Sequence, residues 1–444
     1  METTKRTFPL RIDDNVAIWT EFKELTLRYN CLSLGEGAPG HNPPQFLVDN
    51  LVKAIEEGHN QYSRVMGIPE LNKKIADVYG KKLGRDINWM TEIFVSAGAN
   101  SAINSIILGI IDPKGGDEVV VFEPCFPQYQ DHVQMANARY VPVPLDYKEG
   151  KWSFSKETFR AALNERTKIL ILNNAHNPTG KLFTLEELTT ISAILKDFPN
   201  VIVLSDDVYE YLTYDGKHSI MFASLPDTFN KTVSVFSGGK LFSATGWKVG
   251  WAIGPADIIN AASVISTTTI YCVNAPAQVA MGRCLGDVIE TQRFKEEGVS
   301  YVQHTRKEFE IVRNYMIEEL QRAPIDLELT PLPCESGFFV MVDISKAICK
   351  IPTRFLESHD YEILEEGQTP VSKNRVFIEG RVPYDLAFCR WMAVERGVIM
   401  MPNSLFYNKE SPYRIDTLVR LSICKGYELS VWAVQRIKGK QKTE

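Results

Sequence analysis

The segment SVFSGGKLFSATGWKVGW, residues 234–251, carries a lysine directly after two glycines. Lys240 follows a run, SVFS, that reads as a buried strand, and few other charges surround it. A solvated surface lysine needs no such setting. A sheltered lysine amine can attack a carbonyl and can later carry a proton. SGGKLFS is not a nucleotide-binding P-loop. Ser234 stands where the first glycine belongs, and Leu241 where a Ser or Thr is required.

Four other stretches hold residues with chemical potential. Gly98, Ala99 and Asn100 in SAGAN fall at a strand-to-helix junction. Backbone N–H groups and a helix dipole there suit a phosphate, and tight packing of small residues is the alternative. Phe126 in FEPCFP could cover a flat ring, although a lone Phe also fills a core. Asn177 in NNAHNPTG precedes a proline, which by itself marks a turn. His176 beside it reads as structural. Asp206 and Tyr209 in LSDDVY end a very apolar strand, where paired aspartates also serve as caps or magnesium ligands. The set is more specific than any member. In chain order it offers a phosphate-suited turn, an aromatic, an amide, a carboxylate with a phenol, and a lysine. Pyridoxal 5'-phosphate uses all of them. Its aldehyde needs a lysine amine and its pyridine nitrogen a carboxylate. Its phenolic oxygen wants donors, its phosphate N–H groups and cations, and its ring an apolar cover.

Such residues must be positioned by strand ends. EIFVSAGA, DEVVVFEP, ARYVPVPL, TKILILNN and NVIVLSDDVY read as strands, and NSAINSIILGII and TLEELTTISAILKDF as helices. Near-continuous apolar strands separated by helices predict an α/β fold, a mostly parallel sheet flanked by helices. Ligands of such sheets bind beyond the carboxyl ends of the strands. After about residue 315 the texture becomes that of a smaller α+β domain, with SGFFVMVDIS, VIMM and LVRLSIC as strands and DLAFCRWMAVERG as a helix. The division expected is an arm and part of the small domain at 1–45, a large cofactor-binding domain at 46–315 and a small C-terminal domain at 316–444. Residues 352–383, rich in charge, Gly and Pro, read as a surface loop or insertion.

A net charge of −6 without Lys/Arg blocks favours neither nucleic acid nor an anionic membrane surface as partner. No apolar run is long enough to span a bilayer, and METTKRTFPLRIDD has no apolar signal core. Eight scattered cysteines lack C-x-x-C pairs and zinc spacing, so no metal site is expected and reduced thiols are. The expected compartment is the cytoplasm, with a mitochondrial address left open.

HNPTG, SDDVYEYL, SGGKLFSATGWKVGW and the late LVRLSICK, in this order and spacing, resemble the fold-type I pyridoxal-phosphate enzymes of the class I aminotransferase group. The resemblance runs from about Trp19 to the C-terminus. NQYSRVMG, YDGKHSIMFASLPD and FSATGWKVGWAIGP are most similar to the branch of kynurenine aminotransferase, glutamine transaminase K and cysteine-conjugate β-lyase. It implies that Lys240 holds the cofactor and shuttles a proton, and that Asp206 pairs with the pyridinium nitrogen. Tyr209 and Asn177 are implied to bond the phenolic oxygen and Phe126 to stack on the ring. The phosphate falls to Gly98, Ala99, Ser237 and Lys248, with Tyr62 reaching in from the other subunit of a homodimer. Arg420 is implied to clamp the substrate α-carboxylate, with Asn177, Gly37 and Trp19 on the substrate side. For Trp19, packing of a docked arm is the alternative. The peptide bonds before Pro124 and Pro178 are expected to be cis.

The chain departs from that branch at Val273 and Asn274, where an aromatic and a histidine border the pocket from the partner, and at Asn100, where part of the branch has tyrosine. The expected activity is transfer of the amino group of a neutral L-amino acid to a 2-oxo acid by a ping-pong cycle. The donor could be aromatic, sulfur-containing or glutamine-like, with kynurenine possible in principle. The rivals are β-elimination from cysteine conjugates and a non-catalytic binding or regulatory protein that keeps the fold.

Overall fold

Valine, isoleucine and leucine fill the middle strands on both faces, and this decides the architecture. The structure, a computed structural model, describes residues 16–290, 294–295, 298–322, 327–357 and 381–439. The central strands are β1 (Ile93–Ser96), β2 (Glu118–Glu123), β3 (Arg139–Pro144), β4 (Thr167–Asn173), β5 (Ile202–Asp206), β6 (Thr232–Ser237) and β7 (Gly250–Ile253). They form one seven-stranded sheet in the order β1-β7-β6-β5-β4-β2-β3. All neighbours are parallel except β7, which runs antiparallel to β1 and β6.

Alternation along β2 shows why both faces need cover. Val119 and Val121 pack with Ile103, Ile106 and Ile259, whereas Val120 and Phe122 pack with Leu188 and Ile191. The first group belongs to α1 (Ala99–Ile110) and α4 (Ala256–Thr269), the second to α3 (Leu185–Leu195). Gly109 lets the two helices of the first face meet, because a Cβ there would lie 3.0 Å from the Ala261 carbonyl carbon. The helix α3 starts on a capping box, Thr184 with Glu187. A further helix, α2 (Gln128–Met135), follows β2.

The second sheet has four antiparallel strands, β8 (Thr330–Pro331), β9 (Phe339–Asp343), β10 (Met401–Pro402) and β11 (Leu418–Ser422), in the order β8-β9-β11-β10. Its core takes in Phe309, Met316 and Leu320 of the helix Tyr301–Gln321, and Phe22 and Leu25 of the helix Val16–Arg28. The N-terminal segment joins this half of the molecule. Leu32–Ser33 pairs in parallel with Val398–Ile399. Of the expected insertion, residues 358–380 lie outside the described residues, and before them the short helix Thr353–Leu356 buries Phe355. The bonds Glu123–Pro124 and Asn177–Pro178 are cis as expected, and Asn174–Ala175 is cis as well. Among the described residues no helix is long and apolar enough to cross a membrane.

Candidate active site

Five strand ends converge on one cavity of about 310 Å³. The turn after β1 contributes Gly98, Ala99 and Asn100, and the loop after β2 Phe126 and Tyr129. Asn173 and Asn177 come from the end of β4, Asp206 and Tyr209 from β5, and Ser237, Lys240 and Lys248 from β6 and the turn behind it. Parallel strands present their carboxyl ends on one edge, so residues spread over 150 positions of sequence meet there.

Lys240 lies on a single helical turn, Gly238–Leu241, whose N-terminal cap is Ser237. The Ser237 Oγ accepts from the Lys240 N–H at 3.2 Å. The turn can be this tight because Gly239 carries no Cβ, which would sit 3.0 Å from the Thr245 Cα. The Lys240 ammonium donates to the Gly37 carbonyl and lies 5.0 Å from the centre of the Phe338 ring and 5.5 Å from that of Tyr209. Burial pushes Lys240 down to about 8.

Asp206 is held from its own strand end. The Tyr129 hydroxyl donates to Oδ2 at 2.5 Å and the Val208 N–H to Oδ1 at 3.4 Å. Burial still pushes the carboxyl up to about 6. Its neighbour Asp207 does not line the cavity. It lies near Ser205 and Ser234, whose Cα positions are paired across β5 and β6, and burial pushes it up to about 8. Successive residues of an extended chain point to opposite faces, so the two aspartates do not form a joint magnesium site.

Gly98 adopts φ 81° and caps α1. A Cβ at Gly98 would lie 3.1 Å from the Lys248 Nζ, so the ammonium rests against the turn that opens the helix. Lys248 has a left-handed φ of 54° just before β7. The Cβ-free Gly250 lets β7 pass this turn, because a side chain there would meet the Ala99 nitrogen at 2.6 Å. The backbone turn at Gly98 and Ala99 and the Lys248 ammonium thus meet at one end of the cavity, while the Asp206 carboxylate lies at a different strand end. Phe126 is partly buried and meets Tyr129 edge-on at 5.5 Å. The Tyr209 hydroxyl is pushed up by burial.

Arg420, Gly37, Trp19 and Tyr62 do not line this cavity. Arg420 is 3% exposed and lies directly behind its wall. It donates from Nη1 to Asn177 Oδ1 at 2.9 Å and from Nη2 to the Gly35 carbonyl at 2.7 Å. Its guanidinium stacks on Phe339 and Phe406 at 3.7 and 4.5 Å, and its Nε is buried without a partner. Among the described residues no carboxylate pairs with it, and burial lowers it to about 9. Gly37 passes over the Phe339 ring, which a Cβ would meet at 2.5 Å. Trp19 packs on the core of the four-stranded sheet. Tyr62 is 84% exposed and meets the half-exposed Tyr271 edge-on at 5.1 Å. Val273 is buried in the core of this chain, and Asn274 accepts from the Ala277 N–H at 2.9 Å to cap the next helix.

The sequence reading missed Tyr129, Asn173 and Thr245, all on the cavity wall. The spacing of Tyr129, three residues after Phe126 at the start of a helix, was a usable signal. Asn173 was not separable from any polar residue at a strand end. It accepts from the Asn177 N–H at 2.7 Å and donates to the Asp206 carbonyl at 2.8 Å.

The sequence pattern of the family described as aminotransferase class I and II matches residues 29–428. A kynurenine–oxoglutarate transaminase of Dictyostelium discoideum is 34% identical over 92% of this chain and 90% of its own. Kynurenine–oxoglutarate transaminase 1 of Rattus norvegicus is 31% identical, covering 95% of both chains. Among solved structures, N-succinyldiaminopimelate aminotransferase from Mycobacterium tuberculosis is similar with a TM-score of 0.80 and 26% identity, over 96% of this chain and 97% of that one.

The Asp206 environment predicts a pH-dependent cost. Its folded-state pKa of about 6 lies above an unfolded value near 4, so folding takes up a proton in that window. The stability it contributes falls as pH rises from about 4 through about 6 and stays low above. In the protein stripped of cofactor, Asp206→Asn is expected to unfold at higher denaturant than wild type at pH 8, by at most about 3 kcal/mol. The two should converge near pH 4. Equal midpoints at pH 8 would contradict the burial cost.

Proposed function

The chain belongs to the class I and II aminotransferases, which depend on pyridoxal 5'-phosphate, and from that premise we propose how its own residues divide the work. The carrying observation is that Lys240, Asp206 and the Gly98 turn with Lys248 line one cavity, with the Arg420 guanidinium, which has no carboxylate partner among the described residues, behind Asn177. These groups fit the cofactor. Asp206 is a buried carboxylate without a cationic contact partner among the described residues, and Lys248 is an ammonium set beside N–H groups.

When bound, the cofactor supplies a carbonyl for the lysine amine and an electron sink for the substrate α-carbon. Asp206 would hold the pyridine nitrogen, kept in place by the Tyr129 hydroxyl. Asn177 and Tyr209 would serve the phenolic oxygen, and Phe126 would cover the ring. Gly98, Ala99, Ser237 and Lys248 would bind the phosphate. Lys240 would take the proton from the substrate α-carbon and return it elsewhere, a role suited by a pKa lowered to about 8, because the amine then gives up its proton far more readily than a free lysine. Arg420 would grip the α-carboxylate. Its Nε has a donor still to give, and stacking on Phe339 fixes the plane of the fork.

For substrates we propose neutral L-amino acid donors, kynurenine among them, and a 2-oxo acid acceptor. Lys240 and Lys248 are the cations on the cavity wall among the described residues, and both have other tasks. Phe338, Phe339 and Phe406 make the surroundings aromatic. We further read the active unit as a homodimer. The exposed Tyr62 and Tyr271 form an aromatic patch that a second copy would cover, Tyr62 then reaching that copy's phosphate. The division into an arm at 1–45, a large domain at 46–315 and a small domain at 316–444 is part of the same proposal, with the helix Tyr301–Gln321 running across the last boundary and packing Phe309, Met316 and Leu320 on the four-stranded sheet.

Lys240→Ala is expected to abolish the visible absorbance of the lysine-bound cofactor and nearly all turnover. Mixed with inactive Tyr62 variants it should regain some activity in hybrid dimers, and full activity of a monomer would refute the shared site. Cofactor capture by the stripped wild-type protein should quicken with pH and level off above about 8. A midpoint near that of a free lysine, about 10.4, would contradict the buried amine. Arg420→Ala should lower kcat/KM by tens to thousands of fold, about 2–5 kcal/mol, with cofactor absorbance retained. Arg420→Lys should recover only part, and aspartate as the best donor by a wide margin would overturn the substrate assignment.

A further inference from the structure

The helix α2 follows Phe126 and carries Tyr129 and His132 three residues apart, which places them on one face. Tyr129 reaches Asp206. His132 reaches the other end of the cavity, where its Nε2 lies 2.8 Å from Asn100 Oδ1. His132 is 7% exposed, and its Nδ1 is buried with no partner. A buried N–H left without an acceptor costs more than a bare ring lone pair, so the proton belongs on Nε2. Nε2–H therefore donates to Asn100 Oδ1, and this fixes which way the Asn100 amide faces. The Asn100 NH2 group makes no hydrogen bond among the described residues, and Asn100 lines the cavity immediately after Gly98 and Ala99. Burial lowers His132 to about 4, so the ring is neutral throughout the working range.

Resting on the phosphate assignment above, we propose that Asn100 is a further phosphate ligand and that His132 is its positioning residue. A neutral imidazole locks the amide so that its NH2 side, not its oxygen, meets the anion. An unlocked asparagine could turn its Oδ1 toward the phosphate, where two acceptors repel. The effect should be confined to cofactor affinity and should require the phosphate.

The test is titration of the stripped protein with pyridoxal 5'-phosphate and, separately, with pyridoxal, followed by protein fluorescence. Loss of one hydrogen bond to a charged group corresponds to roughly a tenfold or greater weakening. His132→Leu should bind the phosphate-bearing cofactor about tenfold more weakly, with pyridoxal affinity unchanged. His132→Gln, which keeps a donor, should recover most of the loss. In an Asn100→Ala background, His132→Leu should add nothing. A full His132→Leu effect in that background, or an equal effect on pyridoxal, would overturn the positioning role in favour of a structural one. Asn100→Ala alone keeps the test open if His132→Leu does not fold, and wild-type cofactor affinity in Asn100→Ala would overturn the proposal. Lys248→Ala separates the layers. If it too binds normally, the phosphate assignment itself fails. If it weakens binding while Asn100→Ala does not, only this inference fails.

Discussion

One chain of hydrogen bonds ties the two halves of the molecule to the candidate active site. Arg420 on β11 donates to the Asn177 side chain, the Asn177 N–H donates to Asn173, and Asn173 donates to the carbonyl of Asp206. The Tyr129 hydroxyl then closes on the Asp206 carboxylate. Each link is buried, and a buried polar group that loses its partner is costly. The small sheet, the ends of β4 and β5 and the helix α2 are therefore held in register by groups that face the cavity or, for Arg420, lie directly behind its wall.

A second device is the glycine-rich segment 34–41. Leu34 bridges the strand Val398–Ile399 and β11, donating to the Ile399 carbonyl and accepting from the Ser422 N–H. Beyond it, Arg420, Lys240 and Lys425 each donate to one of the carbonyls of Gly35, Gly37 and Ala38. A Cβ at Gly37 or Gly40 would collide with the Phe339 ring or the Lys425 carbonyl, at 2.5 and 2.4 Å. The missing Cβ at Gly37 and Gly40 is what lets the segment pass this close, with three of its carbonyls turned to Arg420, Lys240 and Lys425. Its carbonyls satisfy, in part, the buried charges that substrate and cofactor are proposed to engage.

The cost of the site is electrostatic. Asp206 and Arg420 are buried and Lys240 partly so, and desolvation moves each toward its neutral form. Groups displaced in this way are poor contributors to stability and good partners for a charged ligand, since binding restores the lost solvation. The rigid sheet with its covered faces is what holds them there.

Much of this was legible in the chain. The alternation of apolar strands and helices announces the parallel sheet, and the strand-end rule assigns Gly98, Phe126, Asn177, Asp206, Tyr209 and Lys240 to one edge. Strand β7 was not read, because four residues after a glycine turn carry too little periodicity, and its antiparallel direction is set by the neighbours it fills in between. Nor could local pattern separate Asp206 from Asp207, although one lines the cavity and the other turns to the serines of the opposite face. Tyr129, Asn173 and His132 act through partners 77, 33 and 32 positions away. The sequence by itself determined which chemistry was available and at which strand ends it must appear, because periodicity and turn residues are local. Only the tertiary structure decided which side chains support it, because those contacts exist only once distant strand ends share an edge.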